Sequence, residues 1–337
     1  MSASTTQLAL YRLKIALLSL IAIYRLPKDQ IDSFMKSYAL FDKDNVDSND
    51  EKSIVDYYSV LNHLCSIGDV EKMYIPAVID ASKGITENQV LFENKMSRDL
   101  DIKAGDKVLD IGCGRGRVAA HLASTTHANI IGLNIDQVQL DSAIKFAHMR
   151  GLDDRCRFLK TSLNSTFPFE DASFDALYQI QVLTYAKNKE AVFAEMFRVL
   201  KPGGKLSFLD WVLLDNFDPK VLRHRNLLKQ IKPLIGAVNT PTAHEIKSTL
   251  ERVGFTVLVS QDASIGGHQA DLIEKADQFY HRTKKIINFM VKLRCLPRHF
   301  SVLMDRLTKD GESFIEADRL GIVTTSFQTV AVKPLDA

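Results

Sequence analysis

Glycine occupies every second position of Gly112-Cys113-Gly114-Arg115-Gly116, directly after the apolar run Val108-Leu109-Asp110-Ile111. A strand ending in such a turn before a helix lets a ligand pack flat on backbone, because no Cβ intrudes and glycine accepts the φ angles of the reversal. The spacing is not that of a dinucleotide turn, G-x-G-x-x-G, which aims a helix N-terminus at a pyrophosphate. The third glycine comes one position early, Arg117 stands in its place, and no P-loop Lys-Ser/Thr follows. Asn134, at the end of the next apolar run, falls where a ligand ribose would cross the switch point of a doubly wound sheet. Metal ligands are not apparent: Cys65, Cys113, Cys156 and Cys295 form no CxxC or CxxH pair, which also argues against a disulfide framework. The acidic stretch from Asp42 to Glu51 fails as a calcium loop, since Val46 stands where an oxygen ligand belongs and Ser53 where the closing Glu should be. It reads as a solvated loop.

The elements around this turn set the fold class. From Lys107 onward short apolar runs alternate with amphipathic stretches, the pattern of an α/β fold with a doubly wound, mostly parallel sheet covered by helices. The runs Val108–Ile111, Asn129–Leu133, Arg157–Leu159, Phe174–Ile180, Lys205–Val212, Phe255–Ser260 and Ile322–Val332 predict seven strands. Asp136 is placed to cap a helix whose Leu140, Ile144 and Ala147 share a face and which stops near Gly151. Thr242-Ala243-His244-Glu245 is a capping box opening a helix that ends at Gly254. Residues 28–100 read as a helical N-terminal cap, and 262–321 as a helical insertion or lid before the last strand.

The glycine turn, Asn134 and the closing run Arg198-Val199-Leu200-Lys201-Pro202-Gly203-Gly204 together resemble the class I S-adenosylmethionine-dependent methyltransferases. The resemblance implies a methyltransferase domain over 101–335 with S-adenosyl-L-methionine as cofactor. It implies that Asp110 holds the methionine ammonium, that Gly112, Gly114 and Gly116 admit the methionine and sugar, and that Asn134 bonds the ribose. Ile135 would pack on adenine, Ser162 stands where an Asp commonly reads the adenine amine, and Gln179 joins the cofactor set. Within the superfamily, Ile131-Gly132-Leu133-Asn134, Phe208-Leu209-Asp210-Trp211-Val212, Gly254 to Ser260 and Val330-Ala331-Val332-Lys333-Pro334 are similar to the sterol 24-C-methyltransferases and triterpene methyltransferases.

Such enzymes carry Glu and His four residues apart after the fourth strand, facing the transferred methyl; here Gln181 and Tyr185 stand there. Methylating an alkene leaves a carbocation, which wants a π-rich or negative neighbour and a base. Gln181 offers a dipole, Tyr185 a π face and a phenol, and Asp210 and His244 are further acid/base candidates. The expected activity is C-methylation of a sterol-, triterpene- or other isoprenoid-like lipid. O- or N-methylation of a phenol, acid or amine, and cofactor binding without catalysis, stay open.

Lys and Arg exceed Asp and Glu by only two, 43 against 41, so no field of the kind that draws nucleic acid is expected. The N-terminus differs: no acidic residue precedes Asp29, and Leu8 to Leu26 is apolar except for Arg12, Lys14, Ser19 and Arg25. Its apolar run Ile15–Ile23, broken once, is nine residues, against the ~20 needed to span a bilayer. Residues 1–27 therefore predict an interfacial helix on a membrane surface, at the cytoplasmic face of the endoplasmic reticulum, with an organellar transit peptide or a core helix as alternatives. The basic-apolar stretch Phe279–Arg294 suits the same interface or a lid. Partners are then a lipid-like small molecule and a membrane surface, with an oligomer open.

Overall fold

The computed structural model describes residues 5–47, 49–68 and 70–336, with side chains from Leu13 onward. Four helices come first: α1 (Thr5–Tyr24), α2 (Lys28–Ser37), α3 (Glu51–Ile67) and α4 (Ile85–Asp99). The alternating unit follows, with β1 (Lys107–Ile111), α5 (Arg117–Thr126), β2 (Asn129–Asn134), α6 (Gln137–Met149), β3 (Cys156–Lys160), β4 (Phe174–Ile180), α7 (Lys189–Val199) and β5 (Leu200–Leu213). Then come α8 (Leu222–Ile235), α9 (Ala243–Val253) and β6 (Thr256–Asp262), and α10 (Ala270–Lys292), α11 (His299–Leu307) and α12 (Gly311–Arg319) separate β6 from β7 (Val323–Val332). The seven strands form one sheet in the order β3-β2-β1-β4-β5-β7-β6, parallel except for β7.

The central strands are apolar on both sides because both faces are covered. Neighbouring residues of β1 show the split: Leu109 packs with Phe193 and Met196 of α7 and Leu250 of α9, whereas Val108 packs with Ala119 and Leu122 of α5. Asp136 caps α6 as expected, accepting from Val138 N and Gln139 N, and the Thr242–Glu245 capping box is formed. Each such cap contributes about 1 kcal/mol. The buried face of α6 is rotated from the expected one: Ala143 joins Leu140 and Ala147 in the interior while Ile144 is exposed.

The helices outside the sheet do not form one cap. Phe92 and Met96 of α4 pack on the α5 side of the sheet. By contrast, Ile23, Phe34, Tyr57 and Leu64 of α1 to α3 share a core with Ile287 of α10 and Phe300, Leu303 and Met304 of α11. The N-terminal helices and the insertion thus meet over the carboxyl edge of the sheet. The acidic stretch is no simple solvated loop: Val46 and Asp50 are buried, and Lys43 Nζ bonds Asp50 Oδ1 at 2.7 Å. Among the described residues no helix is long and apolar enough to cross a membrane, and no group of His, Cys, Asp and Glu could hold a metal ion.

Candidate active site

Beyond the ends of β1, β2 and β4, where the strand order reverses direction, lies a hollow of about 860 Å³. Its lining includes Gly112, Gly114, Asn134, Ile135, Ser162, Gln181 and Tyr185, seven of the residues expected at a site. A second, charged hollow of about 480 Å³ shares Gly112 and Gly114 with it and adds Asp110, Glu71, Lys72, Arg115 and Arg117. The glycine turn is the saddle between them.

The three glycines answer different demands. Gly114, at φ 52°, faces open space, and a Cβ there would touch only Gln139 Oε1 at 3.4 Å. Gly112 is needed because a Cβ would collide with Val182 of the turn after β4. Gly116 lines neither hollow. A Cβ there would sit 2.7 Å from Ala143 and 2.8 Å from Phe158, so this glycine seats α5 against α6 and β3 and has no place in the cofactor set.

Asp110 is buried, and its Oδ2 has no hydrogen-bond partner among the described residues. The neighbouring Tyr178 hydroxyl has no well-formed hydrogen bond either, although it is near enough to favour the carboxylate. Burial pushes the Asp110 carboxyl up to about 7. An orphaned buried carboxylate in a hollow that also carries Lys72, Arg115 and Arg117 fits the ammonium and carboxylate of an amino acid. At the other end, the Asn134 amide makes only long bonds of 3.3 Å to Gly114 O and Gln139 Oε1, leaving it able to turn to a ribose. Ile135 and Leu163 supply the apolar faces that a purine needs, so the residues present fit S-adenosylmethionine.

Three expected residues are occupied elsewhere. Gln181 Nε2 donates to Ile75 O at 2.9 Å and Thr325 O at 2.8 Å, and its Oε1 accepts from Ile75 N at 3.1 Å. It holds the 71–76 segment against β7 from a left-handed backbone at φ 55°, and no polar atom is left for catalysis. Gln179 and Asp210 line none of these hollows: Gln179 Nε2 bonds Asp210 Oδ2 at 2.9 Å, which also accepts from Leu183 N, while Gln179 Oε1 accepts from Val182 N. They brace the turn that carries Tyr185, and burial raises the Asp210 carboxyl to about 6. His244 is exposed on α9.

Tyr185 keeps its place in the site. It is buried, its hydroxyl donates to Gly236 O at 2.7 Å, and it lies 3.1 Å from the Tyr58 hydroxyl, with the two rings edge to face. Tyr58, from α3, opens onto a third hollow of about 950 Å³ between α3, α8 and α10. Leu61, Val70, Ile75, Leu234, Ile235 and Ile273 make this one mainly apolar. Tyr58, Met73 and Gln181 line both it and the first hollow, so the two join there. The intervening segment is anchored from behind by buried Glu93, which accepts from Lys72 Nζ at 2.6 Å and Tyr74 OH at 2.7 Å and pairs with His121. Sequence reasoning missed Tyr58, Met73 and Glu51. Glu51 lines the first hollow and accepts the Ser162 hydroxyl at 2.6 Å across 111 positions, a juxtaposition with no local signal.

A family profile described as a methyltransferase domain matches residues 109–208. The chain is 29% identical to sterol 24-C-methyltransferase erg-4 of Neurospora crassa over 72% of this chain and 69% of that one. It is 27% identical to sterol 24-C-methyltransferase erg6 of Schizosaccharomyces pombe, over 84% and 80%. The [4+2]-cyclase SpnF superposes with a TM-score of 0.69 at 19% identity, over 87% of this chain and 99% of that one, which establishes the fold alone. The sheet order, the glycine turn and these relatives agree: the chain is a class I methyltransferase that uses S-adenosylmethionine as its cofactor and resembles the sterol 24-C-methyltransferases.

Proposed function

We propose that the chain methylates a carbon of an isoprenoid-like lipid, sterol or triterpene in type, held in the hollow between α3, α8 and α10. The observation that carries this reading is the junction itself: a hollow of mixed lining suited to the cofactor opens at Tyr58 and Met73 into a more apolar one. Bound in the first, S-adenosylmethionine supplies a methyl group already activated by its sulfonium. The protein has to align the acceptor with that methyl and exclude water, which is where most of the acceleration in such a transfer arises. Burial pushes the Tyr58 phenol up to about 12 and the Tyr185 phenol well above its ordinary value, so both stay neutral and neither serves as a base. They offer π faces and oriented hydroxyl dipoles to positive charge developing on a carbon acceptor.

The sterol name of the relatives supports the same acceptor class. O- or N-methylation of a phenol or amine would profit from a base at the junction, and the described residues shared by the two hollows, Tyr58, Met73 and Gln181, include no carboxylate or histidine. Among the described residues the one carboxylate along the apolar hollow is Asp277, paired with His281 at 3.1 Å. It suits a hydroxyl at the far end of the lipid.

Delivery from a membrane fits the exposed surface. Leu13, Leu17, Ile21 and Tyr24 of α1, Ile286 and Phe289 of α10 and Leu293 just beyond its end are exposed, with Lys14, Arg25, Lys285 and Lys292 among them. The side chain of Arg12, counted among the cations of this segment, lies outside the described residues. Incubation with methyl-deuterated S-adenosylmethionine and sterol, triterpene, phenol and amine pools, followed by mass spectrometry, tests the reading. Label in an isoprenoid carbon is expected; label only in phenols or amines overturns it. Flotation with anionic liposomes at low salt tests the membrane face.

A further inference from the structure

We infer that Glu51, the first residue of α3, reads the exocyclic amine of the cofactor's adenine, so that an outer helix completes the nucleoside pocket. The inference rests on the cofactor assignment above and names a residue outside the glycine turn and the sheet. Glu51 is half-buried on the wall of the first hollow, and its Oε1 accepts the Ser162 hydroxyl at 2.6 Å. No cation pairs with it among the described residues. The other carboxylate of the lining, Asp136, is committed to the cap of α6. A carboxylate whose one oxygen is held by a hydroxyl, at the edge of a cavity, is set up to accept an N–H or O–H from a ligand.

The cofactor has three sets of such donors: the ammonium, the ribose hydroxyls and the adenine amine. The ammonium is matched by Asp110, across the glycine turn in the charged hollow. The ribose is matched by Asn134 and Gln139, which touch the backbone of Gly114 or each other. Glu51 instead lies among apolar neighbours, with Ile54 and Val55 on its own helix and Leu163 beside Ser162. This is the part of the hollow that suits a flat heterocycle, and the donor on the edge of adenine is its amine.

The decisive comparison uses S-adenosylhomocysteine and its deaminated analogue S-inosylhomocysteine, which presents a carbonyl oxygen where adenine presents NH₂. Calorimetry on the full chain should show the adenosine compound bound roughly ten- to a hundredfold more tightly, the span of a hydrogen bond to a charged group. Glu51→Gln, nearly isosteric and able to donate to the carbonyl, should weaken the adenosine compound by that factor and leave the two nearly equal. Glu51→Asp, which keeps the charge but withdraws the carboxylate from Ser162, should narrow the preference too; it serves if Glu51→Gln fails to fold. Equal losses on both ligands would mean that Glu51 meets the ribose or only closes the pocket, and an unchanged preference would mean that it meets nothing; either overturns the inference. If the wild type binds neither compound, the cofactor assignment itself falls.

Discussion

The two hollows that meet at Tyr58 are built in different ways. The cofactor side is made mostly of residues at strand ends and in the turns that follow them, so its geometry is set by a few consecutive positions: Gly112 to Gly114, Asn134 and Ile135, and Ser162 and Leu163. The proposed acceptor side draws Tyr57 and Leu61 from α3, Ile235 from the end of α8 and Ala276 and Tyr280 from α10, which come together only when the N-terminal helices and the insertion pack. A pocket written into local backbone resists change and keeps one ligand. One assembled from distant helices can be resized by single side chains, which is where a common methyl donor and a particular acceptor would be expected to part company.

The largest effect should come from Gly114→Val. The substitution places a branched side chain on a left-handed backbone facing the cofactor hollow. Calorimetry should show affinity for S-adenosylhomocysteine falling a hundredfold or more, with the far-ultraviolet circular dichroism native-like. Undiminished affinity would break the comparison at its firmer end. Next is Ala276→Trp on the wall of the other hollow. It should lower kcat/KM for the proposed lipid acceptor at least tenfold while cofactor affinity stays within twofold, and a matching loss in both would show that the hollows are not separable.

The pH dependence of cofactor binding is gentler. Burial holds the Asp110 carboxyl near 7, so below that pH the free protein carries a neutral acid where the cofactor's ammonium wants a carboxylate. Affinity should rise as pH rises, by up to tenfold per unit below about 7, and binding at neutral pH should release a fraction of a proton. Calorimetry in buffers of different ionisation enthalpy measures that release, and Asp110→Asn should abolish it. For the empty protein the linkage runs the other way: a carboxyl raised above its unfolded value takes up a proton on folding, so it costs stability as pH climbs from about 4 through 7. The smallest effect is Asn134→Asp, where a charge-assisted bond to ribose should replace a neutral one and tighten the cofactor about fivefold, close to 1 kcal/mol. Weaker binding would mean that Asn134 faces something else.

The same contrast explains what could be read from the chain. The seven strands, the Asp136 cap, the capping box at Thr242 and the six expected residues from Asp110 to Ser162 that line the first hollow or its neighbour all follow from short-range patterns. Gln181 was legible as a residue at the right height beyond β4, but its partners Ile75 and Thr325 are 106 and 144 positions away, and they turn a candidate catalyst into a strut. Gln179 and Asp210 were misplaced for a related reason: both lie toward the carboxyl ends of their strands, yet they bond each other and the turn behind the site. The rotated face of α6 reflects Gln139, drawn inward by the Asn134 amide, a polar contact that a count of apolar residues cannot see.

One helix is a wall of both hollows. α3, 17 residues and about 25 Å long, presents Ile54, Val55 and Tyr58 to the cofactor side and Tyr57, Tyr58 and Leu61 to the acceptor side. A rigid rod cannot withdraw from one and stay closed on the other. Discharge of the methylated acceptor and replacement of spent S-adenosylhomocysteine should therefore run on a shared clock, with the slower departure setting the pace of turnover and the by-product detained for as long as a bulky product keeps the helix propped in place.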